Sequence, residues 1–338
     1  MTNSISRVLI ETIVRKTLRD IEESPERSTR NLVDMALQFS NGRFQKYFLE
    51  TARGMLENEN SAYYALVRDA VGNIDHERLL NFGMNVGYNS CTSGARRIRE
   101  WERKNGYHVP WAVYLEVGQY TFQKAPNRYL NVIAEGEQMG VFTWFLFVEN
   151  DLKEALRLAE EFPDSAFFVF CTAEMITEQV IDKGLSLDNV AFMVLYDENA
   201  DEICAQLRQE KMLYGLYTYY KETDIEEIEN GTLFESAQQL HPAAIVLIAD
   251  PGCTDETQKR VEQLTLEARN SQKYQTIVWE LQGDANTVEE IISGASSFAY
   301  FDRDGDLCGM DGKKITGENA LFHQSLQTIC MNQFSESS

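Results

Sequence analysis

Residues 141–171 read VFTWFLFVENDLKEALRLAEEFPDSAFFVFC, and this stretch decides the fold. Its two ends, VFTWFLFV (141–148) and AFFVFC (166–171), are runs of apolar, aromatic and β-branched residues. A run with almost no polar break is buried on both faces, which marks a strand of a parallel sheet. Between them DLKEALRLAEEF carries apolar residues at helical spacing, so the unit reads strand–helix–strand. The pattern continues in both directions. WAVYLEV (111–117) precedes it, and VAFMVLY (190–196), LYGLYTYY (213–220), AAIVLIA (243–249) and QTIVWEL (275–281) follow, with helices such as ADEICAQLRQEK between them. Successive strand starts lie 30, 25, 24, 23, 30 and 32 residues apart. Seven such units make a doubly wound sheet or a barrel, and the even spacing favours a barrel, full or partial. A last strand, SSFAYF, turns at DRDGD and leads to a C-terminal helix near Leu321–Met331.

The first hundred residues have a different texture. Val8, Leu9, Ile13 and Leu18–Ile21, then Leu32, Met35, Ala36 and Phe39, recur at helical spacing, with Gly42, Glu57–Ser61 and Gly72 as punctuation. The small-residue stretch GYNSCTSG (87–94) reads as a loop that opens the basic helix ARRIREWERK with Ser93 as its N-cap. Charge changes at the same boundary. Residues 1–108 hold 16 Lys/Arg against 14 Asp/Glu, whereas 109–338 hold 15 against 39, and the whole chain of 338 residues carries −22. The expected organisation is an all-helical N-terminal domain over 1–108, a partial (β/α) barrel of parallel strands over 109–285, and a small C-terminal extension of hairpin plus helix over 286–338. The fold class is α/β. So acidic a larger part repels a phosphate backbone, which argues against a nucleic-acid partner. Arg96, Arg97, Arg99 and Arg103 instead offer a face for docking the helical domain against the acidic barrel. No apolar run approaches the roughly 18 residues that span a bilayer, and the N-terminus has no signal-peptide core. Cys91, Cys171, Cys204, Cys253, Cys308 and Cys330 lie far apart and read as free thiols of a reducing compartment. The expected location is the cytoplasm.

From Pro110 to about Ile329 the chain resembles the radical S-adenosylmethionine (radical SAM) superfamily, a TIM-barrel-like partial (β/α) barrel. VPWAVYLEV is similar to the first barrel strand, which in that family leads into a CxxxCxxC loop. AEGEQMGVFTWFLFVENDLKEALRLAEEFPD resembles the next unit, where the family carries a GGEP motif. FVFCTAEMITEQV resembles the third strand and its TNG-type turn, DNVAFMVLYDE the fourth strand, and FAYFDRDGDLCG…GENALFHQSLQTI the C-terminal hairpin and helix. The departures concern the catalytic parts. After Val117 the sequence is GQYTFQKAPNRYL, and no cysteine stands between Cys91 and Cys171. A cluster of this kind takes three protein thiolates. Only Glu149 remains of the GGEP-like motif, and the TNG-like turn is Cys171-Thr172-Ala173. The resemblance implies a degenerate member, a pseudoenzyme, with no cofactor expected, no iron–sulfur cluster, and room for residual binding of S-adenosylmethionine or Mg²⁺.

In parallel barrels the working residues stand just past the C-terminal strand ends. Here those are Glu116, Glu149, Cys171, Thr172, Asp197, Glu198, Lys221, Glu222, Asp250 and Glu280. Such a ring of carboxylates suits Mg²⁺ or a cationic ligand; the same residues also cap the helices that follow, as Asp151, Asp197 and Asp224 fit well. Glu149 and Asp197 are the favoured ligand residues. Cys171 lacks a positioned base among His76, His108, His241 and His323, and none of these histidines has zinc-ligand spacing. DRDGDLCGMDGK (302–313) lacks the Gly and Glu of an EF-hand and reads as a β-turn. Tyr214, Tyr217, Tyr219 and Tyr220 divide between the two faces of one strand, as ligand-lining rings or as core. The function expected first is a non-catalytic binding or scaffold protein for a peptide, protein or small ligand. The alternative is an enzyme of different chemistry that uses the mouth carboxylates with a divalent metal or a sulfonium.

Overall fold

The computed structural model describes residues 2–39, 42–125, 127–294, 297–309, 312–317 and 320–335. Among them nine strands form one sheet: β1 (Ala112–Val117), β2 (Thr143–Val148), β3 (Ala166–Cys171), β4 (Val190–Leu195), β5 (Tyr214–Tyr220), β6 (Ala244–Ala249), β7 (Ile277–Glu280), β8 (Ala299–Phe301) and β9 (Leu307–Cys308). Their order is β7-β6-β5-β4-β3-β2-β1-β8-β9. The pairs β1–β2, β2–β3, β5–β6, β6–β7 and β1–β8 are parallel, and the short hairpin β8–β9 is antiparallel. Each of the first seven strands falls within the run of apolar sequence expected to form it. The fold is α/β, a partial (β/α) barrel with an all-helical N-terminal region.

Two compact units divide the chain: residues 1–84 with 194–283, and residues 85–193 with 284–338. The boundary expected at 108 follows a change of charge and the one at 285 the end of the strand–helix repeats; the units follow packing. In the first unit the helices Thr2–Glu23, Pro25–Phe39, Arg43–Leu56, Ala62–Asn73 and His76–Met84 accompany β5–β7. Ser61 caps its helix by accepting from Tyr63 N, and the Tyr64 hydroxyl donates to Leu56 O at 2.5 Å. Gly72 continues its helix instead of ending it, because the chain stays hydrogen-bonded as far as Ile74 N to Ala70 O. Four hydrogen bonds tie the helices to the later residues of the unit. Arg208 donates to both Asp69 carboxylate oxygens, at 2.7 and 2.5 Å, and Arg78 Nη1 and Asp75 N both donate to Lys211 O.

The second unit contains β1–β3, β8 and β9. Here the expected loop at GYNSCTSG is corrected: Asn85–Gly94 is a wide π-helical segment running directly into Ala95–Asn105, so Ser93 caps nothing. Polar side chains explain why this wound form persists. Asn85 Nδ2 donates to Pro163 O at 2.8 Å, Asn89 Nδ2 to Asp164 O at 2.8 Å, and the Ser90 and Thr143 hydroxyls are bonded at 2.9 Å. Gly94 is needed there, since a Cβ would stand 2.4 Å from Gly140 O. Of the basic face, Arg97 Nη1 donates to Glu137 O and its guanidinium lies 5.4 Å from the Phe142 ring centroid, both within this unit.

Candidate functional site

Strand parity divides the second unit into two faces. Trp144, fully buried, lies against Gly136 of the helix Arg128–Met139 and marks the helix-covered side. Odd-numbered residues of β2 point the other way, where Tyr114 and Phe145 stack with ring centroids 4.5 Å apart. Phe145 stacks on Phe168 at 4.8 Å, Phe147 on Phe170 at 4.4 Å, and Phe298 on Tyr300 at 6.4 Å. The inner face of this part of the barrel is thus paved with aromatic rings.

Two carboxylates stand at its C-terminal edge. Glu116, in step with Tyr114 on β1, accepts from the Tyr300 hydroxyl and from Arg303 N at 2.9 Å. Arg303 sits in the turn between β8 and β9, and Thr121 Oγ1 donates to its carbonyl. Glu149 follows β2 directly, with Arg303 Nη1 3.6 Å from its Oε1. Glu149 crosses the end of β1: a Cβ on Gly118 would lie 2.6 Å from its Oε2, so only glycine leaves the carboxylate this path. Asn150 Oδ1 accepts from Gln119 N and fixes the neighbouring turn. Beneath, Tyr129 donates to Glu116 O, and burial pushes its phenol upward and keeps it neutral. Beyond Glu149 opens a cleft of about 760 Å³, lined by Asp151, Lys153, Glu174, Met175 and Glu178 among others.

The remaining expected residues each have their own surroundings. Cys171 ends β3 on the side opposite Phe170, 1 % exposed, with its thiol directed at Met193 O. Burial excludes it from this edge. Thr172 follows it, half-buried. Asp151 caps the helix Leu152–Glu161 by accepting from Lys153 N at 2.9 Å. Asp197 accepts from Asn199 N, and Asp250 from Gly252 N. Asp224 accepts from Lys221 N, and Glu222 from Thr254 N, which holds the Glu222 carboxyl below its usual range. All of these bonds organise turns at strand ends. Glu280 is 1 % exposed; its Oε1 accepts from Tyr220 and its Oε2 from Gly283 N at 2.6 Å. Of the tyrosines on β5, Tyr217 and Tyr219 touch each other on one face, with Tyr219 48 % exposed, while Tyr220 joins Glu280 on the other. Within the second unit the structure brings Glu116 and Glu149 together through Arg303, with Cys171 buried on the other face of the sheet.

Tyr300 and Arg303 complete the cluster and were not picked out as site residues from the sequence. FAYFDRDGD signals a hairpin, which forms with Gly305 at φ +80°. That the turn bends back onto Glu116 is a consequence of β8 lying beside β1, a pairing distant in sequence. Lys314 gathers Asp302 and Asp306 at 2.8 and 2.9 Å, which raises its ammonium above the ordinary lysine value; Met310 and Asp311 of this loop lie outside the described residues.

A radical SAM centre would take three thiolates from the segment after β1, and that segment, which folds into the helix Gln119–Lys124, contains no cysteine. The six cysteines stand at other places, all buried except the half-buried Cys253. Among the described residues no group of three or more His, Cys, Asp or Glu is arranged to hold a metal ion, and no helix is long and apolar enough to cross a membrane. The residues present do not fit the cluster.

No family model matches the chain, and no curated protein is similar to it at the level sought. Solved structures are. SuiB of Streptococcus suis, a radical SAM enzyme, in its complex with the precursor peptide SuiA, superposes with a TM-score of 0.52 at 10 % identity, covering 70 % of this chain and 68 % of that one. SuiB bound to S-adenosylmethionine gives 0.50 at 11 % identity, over 70 % and 67 %. At such identity the likeness is one of fold, and it bears out the radical-SAM-like partial barrel read from the sequence.

Proposed function

We propose, from the fold shared with SuiB, that this chain is a binding or scaffold protein: a radical-SAM-like barrel without its cluster that holds a peptide or small cationic ligand at the Glu116–Glu149 edge. The observation that carries the reading is the stretch GQYTFQKAPNRYL, which offers no sulfur donor where the chemistry of the fold would need three. A protein that keeps the strands, the hairpin and one carboxylate at the ligand end, but not the cluster ligands, retains binding more readily than radical chemistry. The SuiB complexes with a precursor peptide and with S-adenosylmethionine supply the two ligand classes to try first. Glu116 and Glu149 supply negative charge, the rings beneath supply a surface for a cation, and the helical residues 1–108, barrel 109–285 and extension 286–338 are the working parts.

Iron content after anaerobic reconstitution with iron and sulfide tests this. The expected result is a colourless protein with no bound iron, which still shows a thermal shift with a peptide or with S-adenosylmethionine that Glu149→Ala removes. About four irons per chain would overturn the reading. No shift with either ligand class would remove the binding role.

A further inference from the structure

The root of β1 carries two buried carboxyl groups that the ligand edge does not use. Glu102, on Ala95–Asn105, and Glu289, on Leu281–Ile292, are 7 % and 2 % exposed. Both reach the backbone that leads into β1. Val109 N donates to Glu102 Oε1 at 3.1 Å, and Trp111 N donates to Glu289 Oε1 at 2.7 Å. The Ser297 hydroxyl is 3.0 Å from Glu289 Oε2. His108 Nδ1 lies 3.4 Å from Glu102 Oε1, and His108 N is committed to Phe334 O. Among the described residues neither a lysine nor an arginine pairs with Glu289. A carboxylate sealed from water without a cation is strongly disfavoured, and the nearby Glu102 makes a second negative charge worse.

We infer that Glu289 is held as the neutral acid and works with Glu102 as a proton-gated clamp on the root of β1, closed while Glu289 carries its proton and loosened when the proton leaves. In the closed state Oε1 accepts from Trp111 N while the acid proton on Oε2 goes to the Ser297 hydroxyl. The opening step transfers that one proton to solvent base and leaves an unpaired carboxylate against the strand. Ser297 can turn its own hydroxyl toward it, but no cation arrives. Burial, reinforced by Glu102, pushes the Glu289 carboxyl up to about 8, against the pull of Trp111 N, Ser297 and Ala112 N. Burial also raises Glu102, against Val109 N, Ser293 and His108.

The other titratable neighbours do not supply the missing positive charge. Cys330, on Leu326–Gln333, is pushed up by burial and by Glu289, with Glu135 beyond it adding to the effect. Cys91, beside Trp111, is raised to about 12 by burial. Both stay thiols across the range in which Glu289 titrates. The clamp matters because β1 presents Glu116 at its opposite end, so the strand it anchors is the one that carries the edge carboxylate.

Infrared spectroscopy reads the proton directly. The carbonyl stretch of a protonated, buried carboxylic acid is expected in the parent at about pH 6, to fade by about pH 9, and to be absent from Glu289→Gln at both. Hydrogen exchange over residues 107–115, corrected for intrinsic base catalysis, should lose about tenfold protection across the same range in the parent and none in the variant. Glutamine retains the acceptor for Trp111 N and resembles the neutral acid; should it nonetheless fail to fold, the infrared titration of the parent decides alone. Absence of the acid band at neutral pH, or an equal pH response of parent and variant, would overturn the clamp. Neither readout depends on ligand binding, so the outcome is separate from that of the proposed function.

Discussion

Glu116 and Glu280 occupy comparable places, each at or next to the last residue of a parallel strand, yet one is offered and the other is consumed. Glu116 shares a face with stacked aromatic rings, stays half-exposed, and is touched by a turn whose arginine reaches solvent. Glu280 is shut away with both oxygens taken by Tyr220 and Gly283 N. Burial and the adjoining carboxylate push the Tyr220 phenol far upward, so its hydroxyl remains a donor and the pair stays locked. A carboxylate at a strand end is thus a ligand group only when the parity of its strand turns it to the open face. Buried, the same side chain is a structural acceptor.

The comparison can be pressed in four places, beginning with the greatest expected effect. Glu289, buried like Glu280 but protonated, should dominate the pH dependence of stability. Its folded-state value of about 8 stands above the ordinary carboxylate value. Between these two values the unfolded chain gives up a proton that the folded chain keeps. Stability is therefore full at acid pH and falls as pH rises toward 8, by up to about 1.4 kcal/mol per pH unit, or about 4–5 kcal/mol in all. Denaturant unfolding of Glu289→Gln against the parent should show this slope removed; parallel profiles would contradict it.

Next, Glu280→Ala strands the buried Tyr220 hydroxyl and Gly283 N–H, and should cost about 3 kcal/mol while leaving ligand affinity unchanged. A variant of normal stability that binds poorly would reverse the distinction drawn between Glu280 and Glu116. Glu116→Ala should cost about 1 kcal/mol, since Tyr300 and Arg303 N can turn to water, and should weaken binding of a cationic peptide about tenfold by calorimetry. The mildest change is Glu149→Ala. Its pairing with Arg303 is exposed at both partners, so thermal denaturation should move by no more than about 0.5 kcal/mol, with its effect confined to binding.

Much of the fold was legible because its signals are local. The run VFTWFLFV declares a two-face-buried strand by its own composition, and DLKEALRLAEEF declares an amphipathic helix capped at Asp151. Asp151 and Asp224 were legible as capping and turn residues for the same reason, each bonding a backbone N–H within three residues, whereas Asp197, favoured as a ligand residue, and Asp250 bond backbone N–H groups two residues on in the same way. GYNSCTSG misled because small polar residues are ordinarily loop formers, while here Asn85 and Asn89 spend their amides on carbonyls at 163–165, far along the chain. Arg303 was silent for a similar reason. An arginine in an Asp-rich turn looks solvated until β8 is set beside β1.

What the sequence by itself determined is the class and course of the chain: seven apolar strands separated by helices, an acidic larger part, and a segment after Val117 without a sulfur donor. Tertiary structure alone decided which carboxylates meet. Neighbouring residues of a strand are one step apart in sequence but point to opposite faces, and their partners come from strands more than a hundred residues away, as Tyr300 does for Glu116. Period and composition are carried by the covalent chain; parity relative to the covering helices, and register between distant strands, exist only once the sheet has formed.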